Sequence, residues 1–136
     1  MNLKGILTTW SYSYFDTFGK DFAKSQKLSP DAFVQIVFQL AFYRMHSKLG
    51  NAYESGSLRK FHLGRTDIIR ASTSDTAEFI AKMCSPNLSN EEKAASLRHA
   101  INAHRNYTTN VINFNAFDRH LLGLKQTAIE HGLDLP

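Results

Sequence analysis

Phe18-Gly19-Lys20-Asp21-Phe22-Ala23-Lys24-Ser25-Gln26-Lys27-Leu28-Ser29-Pro30-Asp31-Ala32-Phe33 is the stretch on which the fold of this chain turns. Its first four residues read as a turn, and a polar, lysine-rich loop then runs to Leu28. Ser29-Pro30-Asp31 reads as a helix start: a serine oxygen can cap free backbone N–H groups, proline fits the first helical position, and aspartate suits the positive end of the helix dipole. The helix is expected to run to about Lys48 and to end at Gly50-Asn51. Phe33, Val34, Ile36, Val37, Phe38, Leu40, Ala41 and Phe42 leave it almost no polar face, so it should be covered on most sides.

Upstream, Ile6 to Phe15 alternates, with Trp10, Tyr12 and Tyr14 on one side and Thr9, Ser11 and Ser13 on the other, which predicts a strand. Downstream, Ala52 to Ser55 fits a short strand or an ordered loop, and Asp67 to Arg70 fits another short strand. Ser72 and Asp75 suggest a cap for a helix ending near Cys84 before Pro86, and Ser89 with Glu92 forms a clearer capping box for a longer helix. Ala94, Leu97, Ile101, His104, Thr108 and Val111 lie at three- and four-residue spacing, as do Phe114, Phe117, Leu121, Leu124 and Ala128. Two amphipathic helices should therefore close the chain, with Gly132 as terminator. The fold class read from this order is α/β, mostly helical with a few strands, and one domain over residues 1–136.

Composition agrees with a folded domain. The chain has 136 residues, 43% of them hydrophobic, with 10 Phe, 5 Tyr and 1 Trp, far more aromatic content than disordered segments carry. A net charge of +4 favours anionic partners, with basic residues in two loose groups: Lys20, Lys24 and Lys27, then Arg59, Lys60, Arg65 and Arg70. Neither group is dense enough for nucleic acid, and no nucleic-acid-binding module is present. The lone Cys84 excludes an internal disulfide and a cysteine-built zinc site and reads as a small buried hydrophobe. No run approaches the roughly 20 apolar residues of a membrane span, and no secretory or other targeting signal is seen.

Familiar catalytic motifs are missing: there is no Gly-x-Ser-x-Gly elbow, phosphate-binding glycine loop or His-Glu-x-x-His. His99 and His104 are five apart, off a common helical face, so no metal site is expected. Two constellations carry chemistry. Lys20, Lys24, Lys27 and Asp31 surround a loop entering a helix, which reads either as a solvated surface or as a phosphate site built from flexible cations and helix-start N–H groups. Tyr53-Glu54-Ser55 with Arg65-Thr66-Asp67 is a dense polar set that either satisfies itself or faces a ligand. Arg119 stands on the helix whose Phe117/Leu121/Leu124 stripe should face the core, and could pair with Asp118, Glu130 or a ligand carboxylate.

The lysine segment from Phe18 to Phe33 resembles the coenzyme A-binding segment of the choline/carnitine acyltransferases. Tyr53-Glu54-Ser55-Gly56-Ser57-Leu58-Arg59-Lys60-Phe61-His62-Leu63-Gly64-Arg65-Thr66-Asp67 resembles the substrate segment that follows it there. His104-Arg105-Asn106-Tyr107-Thr108 and Phe117-Asp118-Arg119-His120-Leu121-Leu122-Gly123-Leu124-Lys125 complete the family's order. The resemblance covers nearly the whole chain. It implies that Lys20 and Lys24 contact the coenzyme A phosphate, with Asp31 and Arg105 on the coenzyme A side. It implies that Tyr53, Ser55, Thr66 and Arg119 surround carnitine, with Tyr53, Thr66 and Arg119 directed to its carboxylate. Choline-specific relatives resemble the Thr66 and Arg119 positions less.

The Phe61 to Asp67 wording is similar to the members that transfer short acyl groups, acetyl above all. The family fold implied is a partial coenzyme A-dependent, chloramphenicol acetyltransferase-like one, a part of the C-terminal half of two similar α/β halves. No bound cofactor is implied, coenzyme A and acyl-coenzyme A being substrates alongside carnitine. Mitochondrial matrix or peroxisome is the implied location. Ala52 stands where the family often has Thr, and Asn113-Phe114-Asn115 where it has a more glycine-containing turn. The family's catalytic histidine lies in an upstream His-x-x-x-Asp, and no such motif occurs here. No catalytic residue is therefore assigned, and the chain alone is expected to be inactive: a portion of an enzyme or a non-catalytic binding fragment. Missing strands should leave exposed sheet edges and apolar patches.

Overall fold

The computed structural model describes residues 12–133, in the order α1 (Lys20–Ser25), α2 (Pro30–His46), β1 (Glu54–Ser57), β2 (Thr66–Ile69), α3 (Ser74–Cys84), α4 (Asn90–Ile112) and α5 (Asp118–Glu130). Mostly helical with one small sheet, it agrees with the α/β class. Of the expected strand at Ile6–Phe15, residues 6–11 lie outside the described residues. Its described end, Tyr12 to Phe15, is not a strand: among the described residues no neighbour forms a ladder with it, and Tyr12 and Tyr14 are exposed.

The expected lysine loop is instead the short helix α1. Its Ala23 is buried, and the Phe18 ring meets Phe22 and Phe33 at 5.2 and 6.2 Å. Lys27 adopts a left-handed φ of 58°, which lets Leu28 N–H reach the Ala23 carbonyl and Lys27 N–H reach that of Lys24, both at 2.9 Å. This closure ends α1 and turns the chain into α2. There the start is as read: the Ser29 hydroxyl accepts from Ala32 N–H, with Pro30 in the first turn.

The helix α2 stops at His46, because Ser47 takes the left-handed conformation (φ 55°) before Gly50 is reached. Gly50 has another task. Its N–H donates to the buried Gln39 side chain at 3.0 Å, and a Cβ there would stand 3.1 Å from the Phe42 ring.

The core lies where α2, α3 and α4 meet. Ala32 and Ile36 from α2, Phe79 and Ile80 from α3, and Ala100 and Ile101 from α4 form one buried cluster. Only one face of α2 is covered. Val34, Val37 and Phe38 on the opposite side are exposed, because beyond the short α1 beside Phe33 the described residues supply no element that covers them.

The cap of α3 is Thr73, not Ser72: its hydroxyl accepts from Thr76 N–H, and the Thr76 hydroxyl donates to the Ala71 carbonyl at 2.7 Å. Cys84, expected to be buried, is exposed at the end of this helix. On α4 both halves of the Ser89/Glu92 capping box form. Along it Ile101, His104 and Val111 are buried as expected, whereas Ala94 is exposed beyond the core.

The strands pair antiparallel, Glu54 opposite Ile69 and Ser57 opposite Thr66. One face, with Gly56, Asp67 and Ile69, is buried; the other carries Ser55, Ser57 and Thr66 to solvent. Gly56 is needed for this approach, since a Cβ would come 2.6 Å from Val111 on α4.

The last helix departs most from expectation. Phe117, Leu121 and Leu124 do not face the core but are each at least half exposed, and among the described elements α5 packs only on β2. Amphipathic spacing marks an apolar face without specifying what covers it. Gly132 does terminate α5, at φ 62°, with Leu133 N–H on the Ala128 carbonyl. The turn before α5 uses Phe114 in the left-handed region (φ 64°), a position that favours glycine. Contact of its ring with Phe61, 5.5 Å between centroids, offsets part of that cost.

No helix among the described residues is long and apolar enough to cross a membrane.

Candidate functional site

Two polar regions stand out, one running from α1 over the start of α2 to α4 and one at β2 and α5. In the first Lys20 and Lys24 stand exposed, one helical turn apart on α1, so their ammonium groups can share one anion. Asp31 in the first turn of α2 and Arg105 on α4 are also exposed. Asp31 is drawn into a cluster that sequence reasoning missed: its carboxylate, that of Glu54 on β1 and the ring of His104 on α4 offer atoms all within 4.8 Å of one another.

His104 is 1% exposed, and its Nε2 lies 3.3 Å from Glu54 Oε2 without the alignment of a hydrogen bond. Burial, then the nearby Asp31 charge, pushes the Glu54 carboxyl up to about 7. Burial also lowers the His104 pKa, against the pull of Asp31, which favours a neutral ring. Glu54 was legible as polar and His104 as part of a helical stripe. No local spacing joins residues on three separate elements.

These shifts give a pH prediction. A carboxyl whose folded pKa is raised contributes stability that is complete below its unfolded value and is lost as pH rises through the folded one. For Glu54 that window runs from about 4.5 to about 7. The depressed His104 acts oppositely, its contribution being present above its unfolded pKa and lost as pH falls through the folded one. In urea titrations from pH 4 to 8, Glu54→Gln should gain midpoint relative to the parent as pH rises. A difference that does not vary with pH would contradict this.

In the second region, Thr66 and Arg119 come together although 53 positions apart. Arg119 Nε donates to the Thr66 carbonyl at 3.1 Å and lies 4.0 Å from Oδ1 of the buried Asp67. Of the partners read from the sequence, neither Asp118 nor Glu130 is the one Arg119 meets. Asp118 is taken by Arg70, which grips it through Nε and a terminal nitrogen, and this pair raises the Arg70 pKa. The grip holds the start of α5 on β2, and thereby brings Arg119, the next residue, to Thr66.

Arg119 borders two open clefts. One of about 500 Å³ is lined by Asp67, Phe114, Ala116, Gly123 and Leu124; the other, of about 450 Å³, by Leu58, Gly64, Arg65 and Thr66. Tyr53 and Ser55 are exposed at the start of β1, and among the described residues no hydrogen bond joins them to Thr66 or Arg119. A guanidinium held by one edge beside an open cleft can receive a carboxylate on its remaining N–H groups. Exposed lysines one turn apart can neutralise a phosphate.

A family described as Choline/Carnitine o-acyltransferase matches residues 7–136. Carnitine O-acetyltransferase of Rattus norvegicus is 53% identical over 122 residues, which is 90% of this chain and 20% of that protein. The Homo sapiens carnitine O-acetyltransferase is 52% identical over the same shares. Choline O-acetyltransferase of Gallus gallus is 47% identical over 124 residues, 90% of this chain and 19% of that protein. The chain spans about a fifth of the length of these curated relatives. A match over nearly all of its residues, together with the order of the lysine, glutamate and arginine segments along the chain, makes this chain a member of the choline/carnitine acyltransferase family.

Proposed function

We propose that residues 1–136 are part of a carnitine acyltransferase domain of the chloramphenicol acetyltransferase-like fold, contributing coenzyme A and carnitine contacts to transfer of a short acyl group, acetyl above all. Lys20 and Lys24 hold the coenzyme A phosphate, with Asp31 and Arg105 beside it. Tyr53, Ser55, Thr66 and Arg119 surround carnitine. In the reaction the carnitine hydroxyl oxygen attacks the thioester carbon, a base takes the hydroxyl proton, and the thiolate of coenzyme A leaves. The family's base is a histidine in His-x-x-x-Asp, a motif outside this sequence, so these residues bind and orient. By family likeness the setting is the mitochondrial matrix or the peroxisome.

The observation that carries the reading is the Arg119 guanidinium, anchored at Thr66 on one edge and bordering an open cleft. Carnitine has a carboxylate for that cation and choline has none, which favours carnitine although choline O-acetyltransferases are also among the relatives. A charge-assisted hydrogen bond is worth about 1.5–3 kcal/mol, or roughly 10- to 100-fold in affinity. Calorimetry on the 136-residue chain should therefore show Arg119→Ala weakening carnitine by that factor and leaving choline unchanged. Lys20→Ala/Lys24→Ala should weaken coenzyme A but not its 3′-dephosphorylated form. Equal binding of choline and carnitine would favour the choline reading, and loss of neither ligand in the variants would overturn the assignment of these residues.

A further inference from the structure

The buried Asp67 has no part in the substrate contacts proposed above, yet it is the acidic group beside the arginine on which carnitine recognition rests. The residue is 2% exposed and lies on the inner face of β2. Its Oδ1 accepts the Ile68 N–H at 2.7 Å, and among the described residues Arg119, at 4.0 Å, is the one cation within that distance. A carboxylate this buried is costly unless a positive charge answers it. Among the described residues Arg119 in turn bonds through Nε alone, to the Thr66 carbonyl, which leaves its four terminal N–H groups toward the cleft and a ligand.

We infer that Asp67 is a positioning residue for substrate carboxylates: its buried charge fixes the Nε edge of Arg119 against β2 and so sets where the terminal nitrogens meet the ligand. The inference deepens the carnitine reading and rests on it. Geometry supplies the reason for the division of labour. Asp67 and the Thr66 carbonyl both lie toward the Nε edge, and the backbone bond to Ile68 prevents the carboxylate from turning out to compete for the terminal N–H groups. Long arginine side chains lose much rotamer freedom when they bind, so an arginine fixed beforehand spends less of its binding energy on ordering. The face of β2 that carries Asp67 packs on α4, where among the described residues the Tyr107 hydroxyl is buried without a hydrogen-bond partner, and burial first, then the nearby Asp118 charge, raises its pKa. The carboxylate therefore sits in a region where charge is poorly screened.

The test is a double-mutant cycle on the 136-residue chain with Asp67→Asn, Arg119→Gln and both together, reading carnitine affinity by calorimetry and fold by circular dichroism. Asp67→Asn should weaken carnitine about 5- to 10-fold in the parent and have no further effect when Arg119 is already Gln. Equal loss in both backgrounds, unchanged affinity, or tighter binding because a competing carboxylate has gone would each overturn the inference.

Nitrogen-15 NMR of the Arg119 Nε–H gives a readout without ligand: slow exchange in the parent and fast exchange in Asp67→Asn. Identical exchange in the two would refute positioning. A parent that binds no carnitine would sink the carnitine reading, and the NMR comparison would still decide whether Asp67 holds Arg119. If Asp67→Asn does not fold, Arg119→Gln decides alone: the Asp67 carboxyl carbon resonance should move, and a resonance that stays in place overturns the pairing.

Discussion

Alanine at Gly64 should destabilise the chain by at least about 3 kcal/mol, the upper end of what overpacking costs, and should abolish carnitine binding with it. The added Cβ would stand 2.0 Å from the Leu58 carbonyl oxygen and 3.0 Å from that of Phe61. Both obstacles are backbone, so no rotamer change can relieve them. The loop is closed by its own hydrogen bonds, Leu58 N–H to the Arg65 carbonyl and Gly64 N–H to that of Phe61. Making room therefore breaks the closure and moves the start of β2. Thr66, whose carbonyl holds Arg119, is two residues along. Urea unfolding followed by circular dichroism, with carnitine calorimetry, checks both parts. A near-native midpoint would mean that the loop opens at little cost and that the tight approach of Gly64 to Leu58 is not needed for folding.

Phe79→Ala should cost about 3–5 kcal/mol, as deletion of a fully buried aromatic ring typically does. The side chain is 2% exposed and belongs to the one cluster joining α2, α3 and α4. A cavity there loosens α2 against α4, the helices that bring Asp31 and His104 to Glu54. The Glu54 pH dependence should fade together with the stability. Phe79→Leu, which keeps most of the apolar volume, should lose much less. Equal losses in the two variants would mean that the ring's volume is not what holds these helices together. The midpoint in urea at pH 5 and pH 8 distinguishes these outcomes.

Local signals carried well from sequence to structure where their physics is local. Ser29-Pro30-Asp31 and the Ser89/Glu92 box start helices because a cap needs only a hydroxyl or carboxylate within three residues of free N–H groups. Gly132 ends α5 for the same kind of reason. The lysine segment was misread because lysine and serine suit a loop and a helix surface alike. Burial of Ala23 and the left-handed turn at Lys27 decide for the helix. Thr73 rather than Ser72 caps α3 because the Thr76 hydroxyl ties that turn to Ala71, a preference no count of capping residues reveals.

Arg119 shows the same division within the candidate site. Its charge and its place on an amphipathic segment were plain in the sequence, but its partner was not: Asp118, adjacent in the chain, pairs with Arg70, and Arg119 meets Thr66 and Asp67. Neighbours along a helix diverge by about 100°, so adjacent side chains face different surroundings.

By itself the sequence determined the family, the starts of α2 and α4, the end of α5, and the residue types that can meet a phosphate and a carboxylate. These follow from the identity of residues and from contacts a few positions long. The tertiary structure alone decided that Glu54 meets His104 and Asp31, that Asp67 lies beneath Arg119, and that the apolar face of α5 is open among the described residues. Those outcomes depend on how β1 and β2 lie across α4. Packing of separate elements sets the distance and burial of groups far apart in the chain, and with them the electrostatics of the site.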